Sequence, residues 1–210
     1  MSASLETLTT SEAAVAAGVS VREINRVVDE HILPDTLYST EKMRRFRTDA
    51  CLLIAFYFST AELLTADARL RMIRNELVHS PTWDGWQHWS IEDDLVTVHF
   101  DSLWKSVDER LRELQAAQEL VVEDEEILGG TPVIRGTRIP VHDVAAALSA
   151  GTPKDRILKA YPSLNERQID LAVIYAKAVP PRGRPRRLSP PQGSRILTTR
   201  KHLRKSSSGE

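Results

Sequence analysis

The sequence has little cysteine and no long hydrophobic run, and both absences narrow the class of protein. Its single cysteine, Cys51, excludes an internal disulfide framework, and its place beside the apolar run Leu52-Leu53-Ile54 indicates a buried structural thiol. The first residues lack the basic and apolar stretches of a signal peptide, and no segment reaches the roughly 18 apolar residues of a membrane span. We therefore expect a cytoplasmic protein with no membrane partner.

The sequence also lacks the residue patterns of an enzyme or a metal site. Its histidines are scattered and show neither His-x-x-x-His nor Cys–His ligand spacing. The segment Gly129-Gly130-Thr131 is not followed by the lysine of a phosphate-binding loop. The acidic run from Glu123 to Glu126 is more typical of a solvated surface than of a cation site. We expect no catalytic activity, no cofactor and no bound metal.

A large net charge is missing too, since 28 basic and 29 acidic residues leave −1 overall, which by itself does not indicate nucleic-acid binding. The charge is unevenly distributed, however, because residues 182–205 contain nine basic residues and no acid. Five prolines from Pro180 onward, mixed with Arg, Ser and Gly, predict a tail over residues 180–210 that is disordered when free.

Three interpretations of this tail are open. The Pro-Arg-Gly-Arg-Pro-Arg segment that begins at Pro181 matches the core of an AT-hook, in which Arg-Gly-Arg enters a narrow AT-rich minor groove. Alternatively, the arginines occupy an acidic, metal-binding cleft of a partner, where guanidinium groups pair with carboxylates. The tail can also be merely solubilising. The candidate partner-binding residues in it are Arg182, Arg184, Arg186 and Arg187.

The N-terminal segment has the spacing of a helix-turn-helix. Two capping boxes, which end at Glu12 and Glu23, predict helix starts on either side of Gly18. The second helix buries one apolar face and leaves a polar, partly basic face outward. Such a helix can lie in a major groove, where an asparagine reads adenine and an arginine reads guanine; a plain two-helix hairpin is the alternative. The candidate DNA-binding residues here are Ser20, Val21, Arg22, Asn25 and Arg26.

A basic patch follows this helix, and it either grips phosphates beside the groove or forms a solvated face. Its members are Lys42, Arg44, Arg45 and Arg47, of which Arg44 and Arg45 are the candidate DNA contacts. Residues 49–59 then predict a buried helix, and residues 65–78 predict an amphipathic helix. The arginines expected on the outer face of that amphipathic helix are Arg69, Arg71 and Arg74.

The middle of the chain contains a tryptophan cluster, a strand and a long helix. Trp83, Trp86 and Trp89 can stack bases or contact a partner, but a satellite core under a loop is favoured. Alternation over residues 95–100 predicts a strand, and a helix is expected from Asp101 to about Leu120.

The C-terminal part is centred on residues 129–141. Two short β-branched runs there flank Arg135-Gly136-Thr137 and predict a tight hairpin, with a further strand over residues 120–122. Caps and breakers predict three short helices over residues 143–150, 152–161 and 163–179. The last helix is apolar nearly all round, so it is either central to the core or covered by a partner. The candidate partner-binding residues of this part are Arg135, Arg138 and Tyr175.

The segment from Ile127 to Val144, together with Tyr161-Pro162-Ser163-Leu164 and the Pro-Pro-Arg-Gly-Arg-Pro-Arg-Arg segment, resembles VapB-type antitoxins that carry a small C-terminal domain of unknown function. The segment from Ser11 to Arg26 resembles the helix-turn-helix attached to that domain. The resemblance implies an antitoxin of a type II toxin–antitoxin pair that binds its own promoter as a homodimer. It also implies a PIN-domain ribonuclease toxin as partner, with Mg²⁺ or Mn²⁺ held in a ring of acidic residues.

We therefore expect a mainly α fold with short β elements, made of an N-terminal helix-turn-helix domain and a small hairpin-and-three-helix C-terminal domain. The expected division is a DNA-binding domain over 1–78, a connecting region packed on it over 79–122, the C-terminal domain over 123–179 and the tail over 180–210. The alternative to the antitoxin is a stand-alone DNA-binding regulator with an AT-hook-like tail.

Overall fold

The computed structural model describes residues 7–76, 85, 88–93 and 96–181, and these are mainly helical with short strands, as the sequence predicts. The helices are α1 (Thr10–Ala17), α2 (Val21–Asp29), α3 (Ala50–Ser59), α4 (Ala66–Glu76), α5 (Asp101–Leu120), α6 (Val141–Ser149), α7 (Lys154–Ala160) and α8 (Glu166–Ala178). The strands are β1 (Thr7–Thr9), β2 (Tyr38–Ser39), β3 (Arg45–Arg47), β4 (Ser90–Asp93), β5 (Val96–His99), β6 (Val121–Val122) and β7 (Val133–Ile134).

The two helices predicted on either side of Gly18 form from local interactions, and α1, the turn and α2 are called the helix-turn-helix below as a description of their shape. Thr9 caps α1 and exchanges hydrogen bonds with Glu12, and Ser20 caps α2 and does the same with Glu23, so both capping boxes are confirmed. Gly18 ends α1 in the left-handed region, with φ of +72°, where glycine avoids the steric cost that a Cβ would bring. These local signals are sufficient to turn the chain between the two helices.

A three-stranded antiparallel sheet flanks the helix-turn-helix, in the order β1-β3-β2. Leu8 and Tyr38 both lie opposite Phe46 of the central strand, and both Leu8 and Phe46 are fully buried. The β2–β3 hairpin with its connection, residues 38–47, is called the wing below. The sheet therefore anchors the wing to the start of α1 through one apolar layer.

The first hydrophobic cluster lies under these elements. It joins the helix-turn-helix to α3, which is apolar except at its last residue, Ser59, and at the Tyr57 hydroxyl, and to the inner face of α5, with the Phe56 and Phe100 ring centres 5.4 Å apart. Trp89 packs against this cluster, whereas Trp83 and Trp86 lie outside the described residues. The strand predicted over 95–100 is present as β5, and it pairs with β4, which the sequence did not indicate.

Arg69 corrects one sequence expectation, because it lies inside the protein and not on the outer face of α4. Its side chain donates to the main-chain oxygen of Tyr57 and stacks on the Tyr57 ring, with the guanidinium carbon 4.3 Å from the ring centre. A guanidinium group stacks well on an aromatic face, and main-chain oxygens can replace part of its hydration.

The predicted hairpin is present over residues 132–141, although its second arm is not a strand. The main chain of Ile134 donates to Ile139, that of Val141 donates to Pro132, and Val133 forms a single bridge with Pro140. Proline has no N–H to extend a ladder beyond this bridge. The strand that pairs with β7 is β6, in antiparallel register.

A second hydrophobic cluster forms the core of the C-terminal part, and α8 connects it to the first. Ile169, Ala172 and Tyr175 are buried in the second cluster, whereas Ala178 belongs to the first. Among the elements that pack on α8 are α1, α5, α6 and α7. The apolar surface of α8 is therefore covered by the chain itself, which favours the core interpretation of this helix. The four-segment domain division stays a prediction.

Within the described residues, no helix is long and apolar enough to cross a membrane.

Candidate nucleic-acid interface

The first turn of α2 presents Val21 and Arg22 to solvent. Val21 is 44% exposed and Arg22 is also exposed. Ser20 has a different role, because its main-chain N–H and its hydroxyl both donate to Glu23 Oε2, at 2.7 and 2.8 Å. These hydrogen bonds from Ser20 hold the pKa of the Glu23 carboxyl below its ordinary value. Ser20 thus stabilises the helix start, and the two residues after it form the exposed tip.

Arg44 of the wing lies against the side of α2. Its Nη1 donates to Asn25 Oδ1 at 2.7 Å, and its Nη2 donates to Asp29 Oδ1 at 2.8 Å. The two acceptors are four residues apart and so share one helix face. The fold brings Arg44 and Asn25 together although they are 19 residues apart in the chain.

Arg26 is engaged on a neighbouring face of α2. Its guanidinium group forms two hydrogen bonds with Glu30, at 2.8 and 3.0 Å, and lies 5.7 Å from the centre of the Phe58 ring. Hydrogen bonding by Arg26 lowers the pKa of the Glu30 carboxyl. Both α2-associated arginines, Arg26 and Arg44, thus carry a carboxylate partner that a phosphate would have to replace.

Three cations of α2 and the wing have no carboxylate partner among the described residues: Arg22 on α2, Lys42 at the turn of the wing and Arg45 on β3. Arg47, two residues further along β3, pairs with Asp49 at 2.6 Å. The basic patch predicted from the sequence is therefore divided into paired and unpaired members. We call Arg22, Lys42 and Arg45 the open cations.

A groove of about 530 Å³ lies on the surface where the helix-turn-helix meets α5 and α8. Its walls include Val21 of α2, Arg110 of α5 and Ile174 of α8. The Arg110 guanidinium lies against Gly18, so close that a Cβ on that glycine would be 2.7 Å from the guanidinium carbon. The turn between α1 and α2 is thus in direct contact with the long helix that leads to the C-terminal part.

The C-terminal candidate residues have three different environments. Arg135 donates from Nε to the main-chain oxygen of Glu119 at 2.9 Å, so it closes the end of α5. Arg138 is exposed. Tyr175 is 5% exposed, and its hydroxyl donates to Glu123 at 3.3 Å. Burial, followed by the nearby Glu123, raises the pKa of Tyr175 to about 12. Arg135 and Arg138 are both exposed, but only Arg135 is held by a hydrogen bond to the main chain, and the buried Tyr175 carries no charge.

The remaining predictions concern chemistry and the tail. Among the described residues, no group of His, Cys, Asp and Glu side chains could hold a metal ion. Cys51 is fully buried, and burial raises the pKa of its thiol, which keeps it protonated. The tail arginines lie outside the described residues; they are Arg182, Arg184, Arg186 and Arg187.

Comparison with known proteins identifies relatives of this chain. Residues 121–176 match a family described as a protein of unknown function, DUF433. A protein of Sinorhizobium fredii (strain NBRC 101917 / NGR234), described as uncharacterized protein y4eO, is 44% identical over 217 residues, covering 100% of this chain and 98% of the relative. The chain belongs to the y4eO family. No solved structure matches it.

In this y4eO-family chain, sequence reasoning missed the wing and the contact of Arg44 with α2. The available signal was the strand-forming composition of Tyr38 and of Arg45-Phe46-Arg47 on either side of residues 39–44, which are polar except for Met43. The basic patch was recognised as charge, but its geometry depends on pairing between segments far apart in sequence.

Proposed function

We propose that this protein is a DNA-binding antitoxin that acts by binding and not by catalysis. In this proposal the helix-turn-helix and wing bind operator DNA of the protein's own operon as a homodimer. The C-terminal part and the basic tail bind a PIN-domain ribonuclease toxin in the cytoplasm, with tail arginines in the acidic metal site of the toxin. Cofactors and metals of its own play no part.

The observation that carries the DNA-binding proposal is the common surface of α2 and the wing. The major groove admits an α-helix, and side chains near the N-terminus of a recognition helix reach base edges. Val21 and Arg22 occupy that position in α2 and are exposed. Lys42 and Arg45 lie on the adjacent wing, where they can contact phosphates.

A salt titration tests this half of the proposal. The full chain is titrated with the DNA upstream of its gene and with a scrambled duplex at several salt concentrations. Replacing Lys42 or Arg45 by alanine is expected to weaken binding and to reduce the slope of log K against log salt by about one per lost phosphate contact. Arg156→Ala, at an exposed position of α7 in the C-terminal part, is the matched control. Equal affinity for the upstream and scrambled duplexes would contradict an operator-binding role.

The antitoxin half rests on the VapB-type resemblance of the C-terminal segment and on the charge of the tail. The tail begins directly after α8, where Pro180 and Pro181 are exposed, so it leaves the folded part at the surface. Guanidinium groups on an extended chain can pair bidentately with a ring of carboxylates.

Co-expression with the neighbouring reading frame tests this half. A PIN-domain ribonuclease should co-purify with the full chain, and deleting residues 180–210 should release it or restore its activity. A full-length variant that removes the positive charge of the tail shows whether the charge or merely the presence of the tail is needed for inhibition. In it glutamine replaces Arg182, Arg184, Arg186 and Arg187. Full inhibition by the truncated chain would show that the tail is not the inhibitory element.

The stand-alone regulator shares the same DNA-binding surface and differs in the target of the tail. It predicts that no ribonuclease partner is found and that deleting residues 180–210 weakens promoter binding and flattens its salt dependence. The same deletion variant therefore distinguishes the two functions.

A further inference from the structure

Arg44, Asn25 and Asp29 form a polar trio between the wing and α2, and its hydrogen bonds restrict what each side chain can offer to a base. Arg44 donates to Asn25 Oδ1 at 2.7 Å and to Asp29 Oδ1 at 2.8 Å. A guanidinium group has five N–H donors and no acceptor. The amide of Asn25 must therefore turn its oxygen toward Arg44 and its NH₂ group away.

This orientation changes the expected partner of Asn25. Asparagine recognises adenine by accepting a hydrogen bond from N6 with its oxygen and donating to N7 with its NH₂ group. In the trio the Arg44 guanidinium group already donates to the Asn25 oxygen, and its positive charge disfavours the approach of a second hydrogen-bond donor to that oxygen. The NH₂ group of Asn25 and the unused N–H groups of Arg44 therefore offer hydrogen-bond donors to a base.

Asp29 supplies the opposite property. Its Oδ1 accepts from Arg44, while its side chain is 59% exposed and its second oxygen can accept another hydrogen bond. The trio thus combines donors from Asn25 and Arg44 with an acceptor from Asp29. In the major groove, guanine offers the acceptors N7 and O6, and the paired cytosine offers a donor at N4. An A·T pair places the adenine N6 donor between two acceptors.

We propose that the trio reads a G·C base pair, with Arg44 as the residue that sets the specificity of Asn25. This inference rests on the proposed binding of α2 in a major groove. It replaces the sequence-based expectation that Asn25 reads adenine. Arg44 acts here by positioning Asn25 as well as by its own contacts.

Selection from a randomised duplex library, followed by sequencing, tests the inference with the full chain. The wild type should enrich a site in which one position requires G·C by about tenfold over A·T. Arg44→Ala should shift that position toward A·T, because the freed Asn25 oxygen can then accept from adenine N6. Asn25→Ala should lose the preference there. Arg156→Ala, at an exposed position of α7 outside the helix-turn-helix and the wing, should leave the profile unchanged.

A second measurement uses 7-deazaguanine, which lacks the N7 acceptor, at the enriched guanine. It should weaken wild-type binding about tenfold and leave Arg44→Ala and Asn25→Ala nearly unaffected. Arg44→Lys keeps the charge but not the fork that holds two acceptors, so it should also relax the preference. It replaces Arg44→Ala if circular dichroism shows that the alanine variant is unfolded.

The outcomes separate the inference from the proposed function. If the wild type enriches a site that requires A·T at the position sensitive to Arg44 and Asn25, the G·C assignment is wrong while DNA binding stands. The G·C assignment is also wrong if both variants keep the wild-type base profile. If the folded wild type enriches no sequence at all, the DNA-binding proposal fails, and the inference fails with it.

Discussion

Arginine has different roles in the N-terminal half of the molecule, built on the first hydrophobic cluster, and in the C-terminal half, built on the second. The difference indicates which arginines are available to a binding partner. In the N-terminal half, Arg44 and Arg26 bind the exposed carboxylates of Asp29 and Glu30, which solvent and other anions can displace. In the C-terminal half, Arg135 binds the main-chain oxygen of Glu119 at the end of α5, a partner that cannot move aside without unfolding the helix end. The exposed ion pairs can exchange one partner for another during recognition, whereas the hydrogen bond to the main chain stabilises the fold.

The two halves also share one helix, which limits how separately they can behave. The second cluster holds most of the buried side chains of α8, yet Ala178 near its end belongs to the first cluster. The helices α1 and α5 pack on α8 as well. A partner that moved α8 would therefore disturb the support of the helix-turn-helix, so the halves are expected to be mechanically coupled.

The largest expected effect tests this coupling. Ile169 of α8 is fully buried, so Ile169→Ala should lower the free energy of unfolding by about 2–5 kcal/mol. All four tryptophans lie between residues 83 and 104, and Trp89 and Trp104 pack on the first cluster. Because α8 joins both clusters, unfolding followed by tryptophan fluorescence should coincide with unfolding followed by circular dichroism.

Phe56→Ala, in the first cluster, is the matched comparison, with an expected loss of about 3–5 kcal/mol. It should shift both signals together too. Two separate transitions in the Ile169→Ala variant, with the fluorescence change unmoved, would show that the halves unfold independently.

The next largest effect is a loss of stability on replacing Arg135. Arg135→Ala removes the hydrogen bond to the Glu119 oxygen and should cost about 1–2 kcal/mol of stability in a urea titration. Arg138→Ala, three residues further on at an exposed position, should stay within about 0.5 kcal/mol of the wild type. Equal costs for the two variants would remove the contrast between a structural and a free arginine in this segment.

A smaller effect, on DNA affinity, is expected from breaking the ion pair between Arg44 and Asp29. Asp29→Asn removes the carboxylate that neutralises Arg44, so affinity for random duplex DNA should rise several-fold at low salt, because exposed ion pairs contribute up to about 1 kcal/mol. The slope of log K against log salt should steepen by about 0.9, the value for one added phosphate contact. Fluorescence anisotropy with a labelled duplex measures both quantities.

Asp155→Asn changes the net charge by the same amount at an exposed position of α7 and serves as the control. If both variants raise the affinity equally, the effect reflects total charge and not the release of Arg44.

The smallest effect is the contribution of His142, in the C-terminal half, to the pH dependence of stability. Burial lowers the pKa of His142, while Asp143 and Glu123 oppose this shift, and the ring of Tyr175 lies 5.8 Å from it. A lowered pKa means that the unfolded chain binds a proton more readily than the folded one. Stability should therefore fall as pH falls below the ordinary histidine value of about 6.5 and recover above it.

The measurement is the melting temperature between about pH 5 and 8, the range in which histidine titrates. His142→Gln should make this profile flatter, whereas His99→Gln, at an exposed position in β5, should leave it as in the wild type. A wild-type profile in which stability rises toward low pH would contradict the sign of the His142 shift.

The predictability of this protein from its sequence follows the distance over which each interaction acts. The capping boxes at Thr9 and Ser20 join residues three apart, so they were predicted correctly with the helices that follow. The apolar run of α3 and the hairpin around Gly136 were likewise local signals. Arg69 was placed wrongly, because helical periodicity does not reveal that Tyr57, 12 residues earlier, offers a ring and a main-chain oxygen.

The sequence by itself determined the mainly helical fold with short strands, the turn at Gly18 and the exposed first turn of α2. These depend on main-chain preferences and on hydrogen bonds within a few residues. Only the tertiary structure decided that Arg44 meets Asn25 and Asp29, that Arg135 closes α5 and that α8 is covered from both sides. These contacts join segments whose proximity is set by the packing of two hydrophobic clusters, and such packing has no signature in a short stretch of sequence.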